Sequence, residues 1–169
     1  LQGKKSMMNS SEGMPEDPKQ MKMSLPEAFQ KDFTTVLSTY FGLKDAFVDS
    51  NVEAVKAAAY KMLEEVKSLK TDNLGTMEVA HVKELNKMLQ AIFENDVLEN
   101  QRDHFIVLSQ DMVAFASNLD EIDTPVFVHR CPMANSNRGA DWLSLSREVR
   151  NPYYGEAMMT CGEVTSVLK

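Results

Sequence analysis

Residues 52–69 read VEAVKAAAYKMLEEVKSL. Val52, Val55, Ala59, Met62, Leu63, Val66 and Leu69 recur in steps of three and four, the period of one buried face of an α-helix. Asp49 or Ser50 is the expected N-cap, with Glu53 close by in the first turn. The same period extends in both directions. Upstream, Pro26 opens a helix carrying Phe29, Phe33, Val36, Leu37, Tyr40, Leu43 and Phe47, and the DSN stretch after it breaks the pattern. Downstream, KTDNLGT is a loop, and a third helix runs from about Thr76 to Glu94 through Val79, Val82, Leu85, Met88, Leu89 and Ile92. After END, a fourth runs from about Val97 to Asn118 through Phe105, Leu108, Met112 and Phe115. Four amphipathic helices of similar length with short connections predict a mainly α fold, an antiparallel four-helix bundle over residues 25–120.

The pattern changes at DEIDTPVFVHR. Pro125 ends the helical expectation, and Val126, Phe127 and Val128 favour a strand. Residues 121–169, punctuated by Pro, Asn, Gly and Ser, are expected to form a small irregular α+β unit. It is too short for a core of its own, so it packs on the bundle as an integral part of the same domain. Residues 1–24 lack apolar periodicity and read as a flexible Met- and Ser-rich tail holding Met7, Met8, Met14, Met21 and Met23. A linker from a membrane anchor is the simple reading of that tail; a loose Cu(I)-collecting segment is the sharper one, since thioethers suit that ion.

The chain of 169 residues fits one domain with a tail, and 43% apolar content suffices for a core. A net charge of -7 argues against a nucleic-acid backbone as the main partner. No apolar run is long enough to span a membrane. The absence of a starting Met and of a hydrophobic leader suggests a trimmed or mature chain, from which an export signal could have been removed.

Chemistry concentrates in residues 126–164, VFVHRCPMANSNRGADWLSLSREVRNPYYGEAMMTCGEV. The segment holds both cysteines, three methionines, one of three histidines and the single tryptophan. If FVHRCPM continues as an extended strand, His129, Cys131 and Met133 line one side, and Pro132 is tolerated at an edge. Met158 and Cys161 are three apart and share a face of one helical turn. Folding the two ends together assembles an imidazole, two thiolates and two thioethers, a soft set suited to Cu(I) or Ag(I). Zn(II) is a weaker match, because its structural sites take four Cys or His ligands and only three are near. The competing reading is a Cys131–Cys161 disulfide closing a loop of about thirty residues, worth roughly 3–4 kcal/mol in the chain-entropy model, with the methionines as gap fillers.

Other chemistry is poorly supported. A di-iron bundle needs a Glu-x-x-His pair on each of two helices. Glu78-x-x-His81 supplies one, but Gln101 precedes His104, so both histidines read as polar surface or satisfied core groups. Cys131 beside His129 is a thin basis for a nucleophile, and no serine elbow, phosphate loop or zinc-protease motif is present, so no enzyme is expected. Trp142, Tyr153 and Tyr154 are expected to cover the segment against the helices, while Asp141, Arg147, Glu148 and Arg150 read as a solvated face.

The motifs Cys131-Pro132-Met133-Ala134, Gly139-Ala140-Asp141-Trp142-Leu143-Ser144, Asn151-Pro152-Tyr153-Tyr154-Gly155 and Met158-Met159-Thr160-Cys161-Gly162-Glu163-Val164 closely resemble the C-terminal signature of a bacterial family, domain of unknown function 3347. Three departures stand out: Arg130 separates His129 from Cys131, Tyr154 stands where Phe is usual, and Met159 where Leu is usual. The resemblance implies a periplasmic location or an outer-membrane lipoprotein with a lipid anchor upstream of residue 1. It implies an efflux adaptor as partner, a role near copper or silver handling, and Cys131, Met133, Met158 and Cys161 as metal ligands, with His129 less secure.

Overall fold

The computed structural model describes residues 17–169. The expectations for Met7, Met8 and Met14 lie outside the described residues. The chain is mainly helical, with α1 (Glu27–Val48), α2 (Val52–Lys67), α3 (Thr76–Glu94) and α4 (Leu98–Ala116), followed by strands β1 (Val126–Cys131), β2 (Ala140–Ser144) and β3 (Glu163–Leu168). Each helix packs on the next, and α4 packs on β2.

Helix limits follow local chemistry. Asn51, rather than Asp49 or Ser50, caps α2: its side chain accepts the Ala54 amide. Ser50 is excluded because its φ is +55°, whereas an N-cap takes an extended conformation. Helix α3 spans Thr76–Glu94 as its periodicity predicts. The helices are stitched by aromatic side chains. Phe29 and Phe33 near the start of α1 meet Phe115 near the end of α4, with ring centroids 5.5 and 5.4 Å apart. Tyr40 and Phe47 further along α1 meet Phe105 near the start of α4, at 5.4 and 4.5 Å. The order of these pairs makes α1 and α4 antiparallel.

Residues 17–24, read from the sequence as part of a tail, lie against the helices. A 3-10 turn covers Pro18–Gln20. Asn118 accepts the Met23 amide and donates to the Met21 carbonyl, and Glu78 accepts the Ser24 amide.

The sheet is antiparallel in the order β2–β1–β3. The strand expected over Val126–Val128 reaches Cys131 and is central, so Pro132 ends it rather than sitting on an edge. Met133 is consequently in the following turn, at φ -87° and ψ -16°, and does not continue the line of His129 and Cys131. That turn, Ala134–Asn137, carries three left-handed residues in succession, Asn135, Ser136 and Asn137.

The helices and sheet share one apolar core, in which Trp142, Leu143 and Val128 join Phe105, Phe47 and Leu43. Tyr40 fastens the two layers: its hydroxyl bonds to Ser109 on α4 at 2.8 Å and accepts the Leu143 amide of β2 at 3.2 Å. Asp141 is not on a solvated face. It is buried, and its cross-strand partner Arg130 pairs with its carboxylate at 2.9 Å.

Candidate functional site: the Cys131–Cys161 thiol pair

Cys131 is the last residue of β1 and is fully buried. The register of β1 on β3 ends at Arg130 opposite Glu163; one step further puts Cys131 opposite Gly162, so Cys161 arrives diagonally beside it. Both cysteines are free, and Cys131 is near enough to Cys161 to influence its ionisation. Cys161 is only partly buried, so the pair is covered on one side and open on the other.

The Asn-Pro-Tyr-Tyr-Gly motif explains how Cys161 is held. Asn151 is fully buried, and its side-chain amide donates to the Cys161 carbonyl at 2.8 Å. Its carbonyl oxygen Oδ1 accepts the amides of Tyr153 and Tyr154, closing an Asx turn. The Tyr153 hydroxyl donates to the Asp141 carbonyl on β2. From α4, Arg102 donates to the Pro152 carbonyl at 2.8 Å and to the Phe47 carbonyl at 2.7 Å. Gly155, at φ +57°, must be glycine, because a Cβ there would lie 2.6 Å from Ser50 Oγ. Arg102 thus ties the motif to α4, Tyr153 ties it to β2, and Asn151 carries the hold on to Cys161.

Met133 and Met158 each sit within one turn of a cysteine. Met158 closes the 3-10 turn Gly155–Met158, and its carbonyl accepts the Cys161 amide at 3.1 Å. Tyr154 donates its hydroxyl to the Met133 carbonyl at 2.9 Å. The Met133 side chain is exposed.

His129 faces different partners. Its ring stacks on Trp142 with centroids 5.2 Å apart and planes 8° from parallel. Its Nε2 lies 2.8 Å from the Ser146 carbonyl and so carries the proton, while Nδ1 is buried without a partner. Burial, the largest influence, lowers its pKa, and Lys44 adds to the effect. His129 does not come within ligand distance of both cysteines: among the described residues, one set of three His, Cys, Asp or Glu donors converges within 4.8 Å, and it is His81, Glu84 and Asp111.

Burial also pushes the Cys161 thiol above its ordinary pKa; the adjacent Cys131 adds to this, and the Met133 backbone offsets part of it. At neutral pH Cys161 is therefore a thiol. Two neighbouring thiols can give up protons to a soft cation or be oxidised together to a disulfide.

The sequence pattern on α3 points to the Glu78-x-x-His81 pair rather than to His81, Glu84 and Asp111. Glu78 holds Ser24 instead. The informative spacing is His81-x-x-Glu84, which shares a helix face, with Asp111 arriving from α4.

A mainly helical unit ending in a small sheet that presents two free thiols defines the class. A family model described as a protein of unknown function, domain of unknown function 3347, matches residues 36–124, and the chain belongs to that family. The match runs from within α1 to just before β1, so it rests on the helices, whereas the motifs that carried the resemblance lie beyond it. No curated protein and no solved structure matches the chain.

Proposed function

We propose that this protein binds and hands on a soft monovalent ion, Cu(I) or Ag(I), through Cys131 and Cys161. The observation that carries the reading is the pair of free, neighbouring cysteines, one buried and one partly exposed. Two thiolates are a preferred ligand set for such ions, and Met133 and Met158 are further soft donors within a turn of each cysteine. Zn(II) is a poorer occupant of this pair, since His129 is committed to Ser146 and Zn(II) sites of this kind use four Cys or His ligands. The ion is cargo. The reading of the protein as a non-enzyme is supported by the raised pKa of Cys161, because a thiol nucleophile is activated by a lowered one.

The four helices, as an antiparallel bundle, act in this reading as the scaffold that fixes the cysteine turn through Arg102 and Tyr40. Placement in the periplasm, as a soluble or lipid-anchored protein beside a heavy-metal efflux adaptor, is supported by the resemblance of the C-terminal motifs. A second reading is favoured by the diagonal placement of the two cysteines across β1 and β3: oxidation would join Cys131 to Cys161, leaving a structural module that docks an adaptor without carrying metal.

Reduced protein titrated with Cu(I) against a chromophoric Cu(I) chelator separates the two. The expected result is one tightly held equivalent, lost by at least 100-fold in affinity in the Cys131→Ser/Cys161→Ser variant. Equal binding by the wild type and that variant would sink the proposal.

A further inference from the structure

His81 and Glu84 lie on one face of α3, and Asp111 meets them from α4. His81 Nδ1 lies 2.7 Å from Asp111 Oδ1, and one donor atom from each of the three residues falls within 4.8 Å of the others. A four-coordinate Zn(II) with bonds of about 2.0–2.2 Å places its ligand atoms about 3.3–3.6 Å apart, within the 4.8 Å limit but wider than the Nδ1–Oδ1 hydrogen bond, so that bond opens to admit the ion.

Asp111 supplies the independent sign of a ligand. It is 2% exposed, and its second carboxylate oxygen, Oδ2, is buried without a hydrogen-bond partner. Its other neighbour is the carboxylate of Glu84. Like charges this close disfavour ionisation of both carboxyl groups unless a cation lies between them. The Asp111 carboxyl is pushed up to about 9, chiefly by burial and then by Glu84. Among the described ion pairs, Asp111 has only the His81 ring, which is charged only when protonated. A cation would satisfy the orphaned oxygen and relieve the repulsion together.

We propose that His81, Glu84 and Asp111 form a binding site for a first-row divalent cation of the Zn(II) type, separate from the thiol pair. One imidazole and two carboxylates are hard-to-borderline donors, unlike the soft sulfur set at the sheet end. Two rigid helices hold the three ligands, and Phe115 packs edge-on against the His81 ring, 6.4 Å between centroids. Glu84 is exposed and the His81 side chain 23% exposed, so the outer side is open for water to complete the coordination.

The test is a Zn(II) titration of the reduced full chain by calorimetry, in the wild type, in Cys131→Ser/Cys161→Ser, and in His81→Gln, Glu84→Gln and Asp111→Asn. One equivalent should bind with the same affinity in the wild type and the double-serine variant. Glu84→Gln, at an exposed position that leaves the core intact, and His81→Gln should each weaken it at least 10-fold, while leaving Cu(I) affinity unchanged. Asp111→Asn should abolish it, with far-UV circular dichroism confirming the fold. No saturable equivalent in the double-serine variant, or unchanged affinity in Glu84→Gln and His81→Gln, would overturn the proposal.

Discussion

Replacing Tyr40 with Phe tests whether helices and sheet form one unit. The substitution keeps the ring between Phe105 and Phe41 and removes one oxygen. That oxygen is the partner of Ser109 Oγ and the acceptor for the Leu143 amide, both in fully buried surroundings. The amide belongs to an edge strand, β2, so no further strand replaces the bond. An orphaned buried donor costs about 1–3 kcal/mol, and the lost bond to Ser109 adds about 1 kcal/mol. The expected loss is about 3 kcal/mol, or about 6–12 °C in Tm for a domain of this size. Urea unfolding followed by far-UV circular dichroism reports the helices, and fluorescence of the single Trp142 reports the sheet. The two transitions should coincide in both proteins and shift together. Adding Ser109→Ala should cost little beyond Tyr40→Phe, because the serine has already lost this partner. A loss below about 0.5 kcal/mol, or a Trp142 transition that separates from the helical one in the wild type, would refute the reasoning.

The neutral, buried His129 has a folded pKa below its unfolded value of about 6.5. As pH falls from about 6.5, the unfolded chain takes a proton that the folded one refuses, so this residue lowers stability by up to about 1.4 kcal/mol per pH unit. Asp111, whose folded pKa is raised to about 9, acts in the opposite sense: its stabilising effect is present at low pH and fades as pH rises from about 4 toward 9. The measurement is therefore a difference: His129→Phe should be relatively more stable than wild type at pH 5 than at pH 7, and should leave Cu(I) affinity unchanged; a parallel pair of stability curves would count against the assignment. Gly162→Ala should cost about 2–4 kcal/mol, since φ is +142° and a Cβ would lie 3.0 Å from Trp142 and 3.2 Å from the Arg130 carbonyl. Urea midpoints with an unchanged slope check this, and a neutral substitution would mean that the cysteine turn adjusts freely.

The helices were legible because their burial follows a single period; Thr76–Glu94 matches to the residue. The cap of α2 was misplaced by one or two positions because Asp49, Ser50 and Asn51 are all capping residues, and only backbone φ decides among them. Strand β2 escaped notice because all five residues of ADWLS are buried, leaving no alternation to read. Asp141 looked solvated for a related reason: its partner Arg130 is eleven residues away and becomes a neighbour only through the register. At the site, the cysteines were recognisable from residue type, and their meeting follows from a β1–β3 pairing that local pattern does not contain. His129 was assigned by alternation along a strand, but alternation is silent about which way an imidazole nitrogen points. His81, Glu84 and Asp111 combine a short-range spacing with a contact across thirty positions, and only the first half of that is written in sequence.

The unequal cover over the two cysteines imposes an order on whatever reacts there. An incoming ligand, alkylating reagent or oxidant meets Cys161 before Cys131. In the proposed soft-ion role, exchange at the pair would be one-sided: an acceptor thiol would have to displace Cys161 first, while Cys131 keeps hold until the last bond breaks. Departure from the buried thiol would then be the slow, committing step, and the kinetics of loading and unloading would be set by the outer thiol and the inner one respectively.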